Sequence, residues 1–297
     1  MRIPFSAAFR DTAYDVSVSA SQLADAQRLV ASGKRIDKPS DDPSGAASAV
    51  TDHASLNTLD GYTQTNNSAT SRLSVIDTTL SDVINQVSAA QTAVAGAKGS
   101  TVTQAQRDAS ALTLQGISDS LLSDFNAQFR GTYLFGGTKS TTPPYTQNSG
   151  TVSAYQGNTS TAQVNIGRGP AVPISFDGSA ITQGSDSADI FSTLSSVITA
   201  VKNGDATGMS QGLDALGRAL DRATSAQSQV GTALDSLQTA STKITNEQLD
   251  VTNQLSATED ADMASSITRM SQAQTAYQAA LAALGRIGTV SLMDYLK

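Results

Sequence analysis

A chain of 297 residues is long enough for one or two domains with a buried core, yet only 39% of it is hydrophobic, 5% is aromatic and Trp is absent, so that core must be slender and rich in alanine. Having no Cys and a single His removes disulfides and thiol chemistry, leaves little material for nucleophilic triads or His-based metal sites, and gives no reason to expect a cofactor. A net charge of −7 without a Lys/Arg cluster argues against a nucleic-acid partner or a helix lying on anionic lipid, and no apolar run approaches the roughly 20 residues that span a bilayer.

The opening Met1-Arg2-Ile3-Pro4-Phe5 does not lead into the apolar stretch of a secretory signal, because Asp11, Asp15 and several Ser break up the next fifteen or so positions that such a signal would need. Export would then need a route other than a cleaved signal peptide. From Phe5 to Ser32 the residues Phe9, Ala13, Val16, Ala20, Leu23 and Val30 alternate at spacings of four and three, with Gln27 the exception. That spacing predicts a coiled-coil helix of about 42 Å whose thin seam needs a partner.

The stretch Ser32 to Ala47 is a corner. Gly33 suits the left-handed residue that ends a helix, and Pro39 forbids helix just before it. Asp42 is a natural cap for a new helix with Pro43 at its first position, and Asp41 adds negative charge at the positive end of that helix. Two adjacent carboxylates with no third acid, His or Cys beside them do not enclose a metal, so the capping reading is preferred. His53 comes next, on the polar start of the helix, and reads as a solvated side chain.

The second helix runs to about Ala97, and Ala69, Leu73, Ile76, Leu80, Val83, Val87, Ala90 and Val94 fill every core position of its seam. Thr101 or Thr103 opens a third, in which Leu114, Ile117, Leu121 and Phe125 recur up to Arg130. Then Pro143, Pro144, Pro170 and Pro173 and a series of glycines end the helical pattern. Short β-like runs at Val152 to Tyr155, Ala162 to Ile166 and Val172 to Phe176 predict three or more strands, with a tight turn at Asp177-Gly178. Helix returns from Ile190 to Asn203-Gly204. A long seam then runs through Leu213, Leu216, Leu220, Ala223, Val230, Leu234, Leu237, Ile244, Val251 and Leu255, with Gln227, Ser241 and Gln248 as polar members. Thr258 to Asp262 reads as a cap and acidic first turn, and a last seam runs Ile267, Met270, Tyr277, Leu281 and Leu284 around Gln274.

Terminal segments with complementary seams and a β patch at mid-chain predict a mainly α fold, a long-helix coiled-coil bundle formed by the N- and C-terminal halves with a small β-rich insertion. The expected division is a terminal coiled-coil module of residues 1–45 and 257–297, a helical bundle module of 46–136 and 187–256, and an insertion at 137–186. Phe9, Val16, Leu23, Val30, Ile267, Met270, Tyr277, Leu281 and Leu284 are the expected assembly interface. Gly33, Pro39, Asp41, Asp42 and Pro43 are the expected hinge, set beside the acidic break at Thr258 to Asp262. Ordering two thin terminal helices costs about 1 to 2 kcal/mol per residue in backbone entropy, so these ends are expected to order on assembly.

Two sets of residues resemble the bacterial flagellin superfamily. At the N-terminal side these are Ser32-Gly33-Lys34-Arg35-Ile36 with Ser40-Asp41-Asp42-Pro43-Ser44-Gly45-Ala46, and at the C-terminal side Glu259-Asp260-Ala261-Asp262-Met263-Ala264 with Met270-Ser271-Gln272-Ala273-Gln274. Lys38-Pro39-Ser40-Asp41-Asp42-Pro43, Tyr133-Leu134-Phe135-Gly136-Gly137-Thr138 with Pro143-Pro144-Tyr145, and Ser291-Leu292-Met293-Asp294-Tyr295-Leu296 are similar to the members that join hook to filament, more than to filament flagellin itself. The resemblance implies an extracellular, non-enzymatic flagellar subunit passed through the flagellum's own channel, with an export chaperone. Its implied partners are the first hook-associated protein, flagellin and copies of itself in a ring. A filament-forming flagellin is the alternative. A glycan-binding relative using the insertion would need an aromatic platform, and only Tyr145, Tyr155 and Phe176 offer one.

Overall fold

The structure, a computed structural model, describes residues 5–295 except 149 and 168, without the side chains of residues 5, 6, 8 and 287–295. The motif at Ser291 to Leu296 therefore lies outside the described side chains. Among the described residues the order is α1 (Phe5–Ser32), α2 (Pro43–Ala97), α3 (Gln104–Phe125), β1 (Gln128–Phe129), β2 (Thr132–Tyr133), β3 (Gln147–Asn148), β4 (Thr151–Val152), β5 (Gln163–Val164), β6 (Val172–Pro173), α4 (Gly178–Thr182), α5 (Ile190–Asn203), α6 (Ala206–Glu259) and α7 (Met263–Tyr295). The fold is mainly α. The chain divides into two compact units, one drawing on both ends, up to Thr58 and from Asn246, and one over Leu59–Thr245.

In the Leu59–Thr245 unit the α2 seam from Ala69 to Val94 is buried at all eight positions, since each is apolar and belongs to the one core cluster. Thr103 starts α3 with a capping box: its hydroxyl accepts from the Gln106 N–H, and the Gln106 side chain accepts from the Thr103 N–H at 2.8 Å. Asp189 caps α5 by accepting from Ser192 N–H at 2.7 Å, and Gly204 ends it at φ 67°, where a Cβ would be strained. The helices converge on Phe125, whose ring meets Phe135 at 5.5 Å and Tyr145 and Phe191 at 6.1 Å, all edge to face.

The β region is three antiparallel pairs of two-residue strands, β1 with β2, β3 with β4 and β5 with β6. So little ladder does not hold itself. Arg72 of α2 holds it from beneath, donating to the Ile174 carbonyl at 2.6 Å, the Thr132 hydroxyl at 2.8 Å and the Tyr133 carbonyl at 3.3 Å. Asp186 is clamped by Arg222 at 2.6 Å and Arg218 at 2.9 Å, and these guanidinium bonds hold its carboxyl below the usual range. The expected turn at Asp177-Gly178 is instead a helix start, because the Asp177 carboxylate accepts the Ser179 N–H at 2.8 Å and caps α4. β1 and β2 lie ahead of the predicted strands, where α3 stops at Phe125 rather than at Arg130.

The seam of α6 is one residue out of the predicted frame at every second position. Leu216, Ala223, Val230, Leu237 and Ile244 are buried, but their alternates are Ala219, Ala226 and Ala233, while Leu213, Leu220 and Leu234 flank the core half-buried. Small residues sit at the centre because they let helix backbones approach closely, and the leucines then fill the grooves on either side. On the outer faces, Ser and Thr hydroxyls donate to the carbonyl four residues back; Thr224, Ser228, Thr232 and Ser236 make one such ladder at 2.9 to 3.0 Å.

One polar pair in this unit is mismatched. Gln86 donates to Asp124 at 2.9 Å while its own carbonyl oxygen is buried with no partner, and burial, reinforced by Asp82, raises the Asp124 pKa. A raised carboxyl stabilises the fold only below its ordinary value of 3.8, and that contribution is lost as pH rises through the folded value. Asp124→Asn brings an N–H to the Gln86 oxygen and removes the charge. It should raise the melting temperature at pH 7 by about 2 to 4 °C, for one hydrogen bond of about 1 kcal/mol gained. A lower melting temperature by calorimetry would refute this.

Candidate assembly site

The terminal unit pairs α1 with α7 and ties the corner between α1 and α2 to the end of α6. On α1, Val16, Leu23 and Val30 are half-buried and Phe9 is exposed. On α7, Met270, Tyr277 and Leu284 are half-buried, whereas Ile267 and Leu281 stand 50% and 42% exposed. The frame slip of α6 recurs here. Ser266, Ala273 and Ala280 take the alternate inward places, so Ile267 and Leu281 form a separate outward stripe seven residues from Gln274 on either side.

The corner is built from its turn chemistry. Gly33 ends α1 at φ 70°, and its N–H donates to the Leu29 carbonyl at 3.0 Å. The Asp41 carboxylate accepts from the N–H groups of Lys38 at 3.0 Å and Asp37 at 3.2 Å, folding the chain around Pro39 instead of serving the helix dipole. Asp42 caps α2, accepting from Gly45 N–H at 3.0 Å and from the Ser44 hydroxyl at 2.9 Å, with Pro43 the first helical residue. A Cβ on Gly45 would lie 2.5 Å from Ile36 Cδ1 and 2.6 Å from Asp42 Oδ2, so only glycine fits without moving the cap. Asp262 caps α7 in the same way, accepting from Ala264 N–H at 2.9 Å, while Thr258 and Glu259 close α6 instead of opening α7.

What the sequence does not announce is the clasp that joins these parts. Lys34 Nζ donates to Glu259 Oε1 at 2.6 Å, and His53 Nε2 faces Glu259 Oε2 at 3.2 Å, so His53 is not simply solvated. The Glu259 carbonyl accepts from Arg35 N–H at 2.6 Å and Ile36 N–H at 3.3 Å, the Gly33 carbonyl accepts from Ala261 N–H at 2.9 Å, and Arg35 Nη2 donates to the Thr258 carbonyl at 2.7 Å. Asp52 is buried beside them, receiving Gln254 at 3.4 Å on one oxygen. The one signal for this cluster is that Lys34-Arg35 and Glu259-Asp260 are opposite charges at the two breaks in helix.

Among the described residues no group of three His, Cys, Asp or Glu could hold a metal ion, and no helix is long and apolar enough to cross a membrane. The chain matches the bacterial flagellin N-terminal helical region over residues 10–140 and the bacterial flagellin C-terminal helical region over residues 213–296. The chain belongs to the bacterial flagellin family. This flagellin-family chain is similar to the flagellar hook-associated protein 3 of Escherichia coli K12, 26% identical over 291 residues that take in 90% of this chain and 91% of the relative. It is similar to the protein of the same name from Salmonella typhimurium LT2, 27% identical over 302 residues and 94% of each. Its fold is similar to that of flagellar hook associated protein-3 from Legionella pneumophila, with a TM-score of 0.63 at 15% identity over 70% of this chain and 98% of that one.

The clasp of this flagellin-family chain has a defined pH window. The hydrogen bond from Lys34, and after it His53, holds the Glu259 carboxyl below its ordinary 4.5, and the same bond raises Lys34 above 10.5. Depressed Glu259 contributes stability above pH 4.5 that is lost as pH falls through its folded value, and raised Lys34 contributes below pH 10.5 and loses it as pH rises. Amide protection at Ala261 should therefore fall as pH drops below 4.5 through the folded value of Glu259, and fall again as pH rises above 10.5. Glu259→Gln should remove most of that acid limb. At Gly45 the limb should persist, because its partner Asp42 is held down by the Gly45 N–H itself. An acid limb at Ala261 that is the same in the Glu259→Gln chain as in the parent would contradict this assignment.

Proposed function

We propose that this chain is a structural, non-enzymatic subunit of the bacterial flagellum, seated at the junction between hook and filament. The observation that supports this reading most is the likeness to flagellar hook-associated protein 3, which spans nine-tenths of both chains. In this reading its neighbours are the first hook-associated protein on the hook side, flagellin on the filament side, and further copies of itself in a ring. The subunit reaches that place through the flagellum's own channel without a cleaved signal peptide, attended by an export chaperone.

Assembly works through the terminal helices. Val16, Leu23 and Val30 hold α1 to Met270, Tyr277 and Leu284 of α7, and the outward Ile267 and Leu281, with Phe9, meet neighbouring copies. Gly33, Pro39, Asp41, Asp42 and Pro43 shape the corner where a terminal coiled-coil module of 1–45 and 257–297 joins a bundle module of 46–136 and 187–256. The segment 137–186 is the β-rich insertion, anchored on the core through Tyr145 and Phe176.

Deleting the gene and inspecting cells and medium tests the reading. A junction subunit's loss leaves cells that make and secrete flagellin but fail to retain filaments. Cells that keep hook and junction but lack all secreted flagellin would identify a filament flagellin instead.

A further inference from the structure

Burial in the terminal unit is concentrated at one place. Ile36, Ala49, Asp52, Glu259 and Ser266 are buried, all around the corner, whereas no described side chain of α1 is buried and in α7 only Ser266 is. The Lys34–Glu259 bond there joins residues 225 positions apart in the chain. The fastened residues lie between Ser32, the last residue of α1, and Met263, the first of α7, and Lys34 and Asp260 face each other in an antiparallel bridge. Both terminal helices therefore leave the same fastened point, antiparallel and side by side, and Ala26 and Leu29 line one groove with Ala273 and Ala276.

The seam between these helices defines its own register only weakly. Its heptad residues recur every seventh position on both sides, Val16, Leu23 and Val30 on α1 and Met270, Tyr277 and Leu284 on α7, and among the described half-buried large apolar residues only Val18 and Leu29 of α1 depart from that spacing. Sliding one helix by seven residues still sets two of three large residues against the partner's gaps. A slip of two turns thus gives up one layer of three and the places of Val18 and Leu29, a small enough difference that a contact outside the seam can decide the frame. The fastened corner can. With the bases of α1 and α7 already joined, the loop-closure entropy is met before either helix orders, and each further turn adds next to a turn already in place.

We infer that the clasp around Glu259 is a registration device: it selects the frame in which α1 meets α7 and is the point from which they pair when a subunit joins the assembly. This rests on the assembly reading above. The backbone bonds supply direction, and Lys34 and His53 on Glu259, with Arg35 on the Thr258 carbonyl and on Asp42, keep the joint closed.

The test uses the full chain, which has no Cys of its own, added in purified form to cells that bear hooks but lack this gene. Ala26→Cys with Ala273→Cys reports the observed register, and Ala26→Cys with Ala280→Cys reports the seven-residue slip, each joined after assembly by a short bis-maleimide to which the two thiols add. With the clasp intact, the first pair should cross-link at least fivefold more than the second. In a Glu259→Ala background that preference should fall to about twofold or less. An unchanged preference in the Glu259→Ala chain overturns the inference.

If Glu259→Ala is not incorporated at all, a second variant decides. Lys34→Cys and Asp260→Cys occupy an antiparallel bridge, where Cα atoms stand about 4.5 to 5.5 Å apart, within disulfide reach. Placed in the Glu259→Ala chain and oxidised, they should restore incorporation at least tenfold over the reduced form. Equal incorporation of both forms overturns the inference. If the unaltered chain never binds hook-bearing cells, the assembly reading fails first and the inference with it.

Discussion

Leu281→Asp abolishes incorporation into the flagellum while leaving the thermal unfolding of the Leu59–Thr245 unit unchanged to within about 1 °C. Leu281 stands 42% exposed on the outward stripe of α7, so in the single chain an aspartate there meets water and loses little. Once a neighbouring copy covers that stripe, the carboxylate becomes an unpaired buried charge, which costs several kcal/mol. Each further copy repeats the penalty, and assembly fails. The control is Leu80→Asp, where the side chain is fully buried between helices and the same carboxylate is desolvated in the free chain. That variant should not reach a cooperative melt at all. Equal loss of melting temperature in the two variants, or normal incorporation of Leu281→Asp, would show that the outward stripe is not an assembly surface.

Phe125→Ala should be the most damaging truncation in the Leu59–Thr245 unit. The ring is fully buried and touches Phe135, Tyr145 and Phe191 edge to face, so it joins the end of α3, the β region and the start of α5 at one point. Losing it removes the transfer energy of the ring and leaves a cavity that three other rings line, about 3 to 5 kcal/mol and on the order of 10 °C in melting temperature. Phe125→Leu, which refills part of the volume, should recover roughly half. A Phe125→Ala melt within about 3 °C of the parent would mean that the aromatic node is not where the unit's stability resides.

The helices are legible in the sequence because their signals are local. The bounds of α1, the cap and first residue of α2, a start of α3 at Thr101 or Thr103 and the eight buried positions from Ala69 to Val94 all stem from period and capping chemistry. So does the meeting of the corner with the break after Glu259, since both interrupt helices that have to pair. The slip in α6 and α7 is not legible. A reading by side-chain size tracks Leu213, Leu220, Ile267 and Leu281, but three-dimensional packing puts alanine or serine at the tightest approach and leaves the larger residues to flank it. The strand pairs escape prediction because two-residue ladders have no period to read, and they are held by Arg72 and by an aromatic node from distant segments. The clasp escapes it in part because three of its bonds run backbone to backbone, and nothing in a side-chain pattern marks a carbonyl that will receive two N–H groups from the other end of the chain.

The hydroxyl ladder on α6 bears on how that helix face behaves in media of different ionic strength. Long helices usually remain soluble through Glu and Lys, whose mutual repulsion sets how closely rods can lie and fades as salt is added. Here only 15% of the residues are charged, and each laddered hydroxyl has already committed its hydrogen to its own helix, leaving lone pairs that hold water without a long-range field. Shortening the Debye length from about 10 Å at 0.1 M to about 3 Å at 1 M therefore takes little away. The water held by these hydroxyls stays nearly the same at either salt concentration.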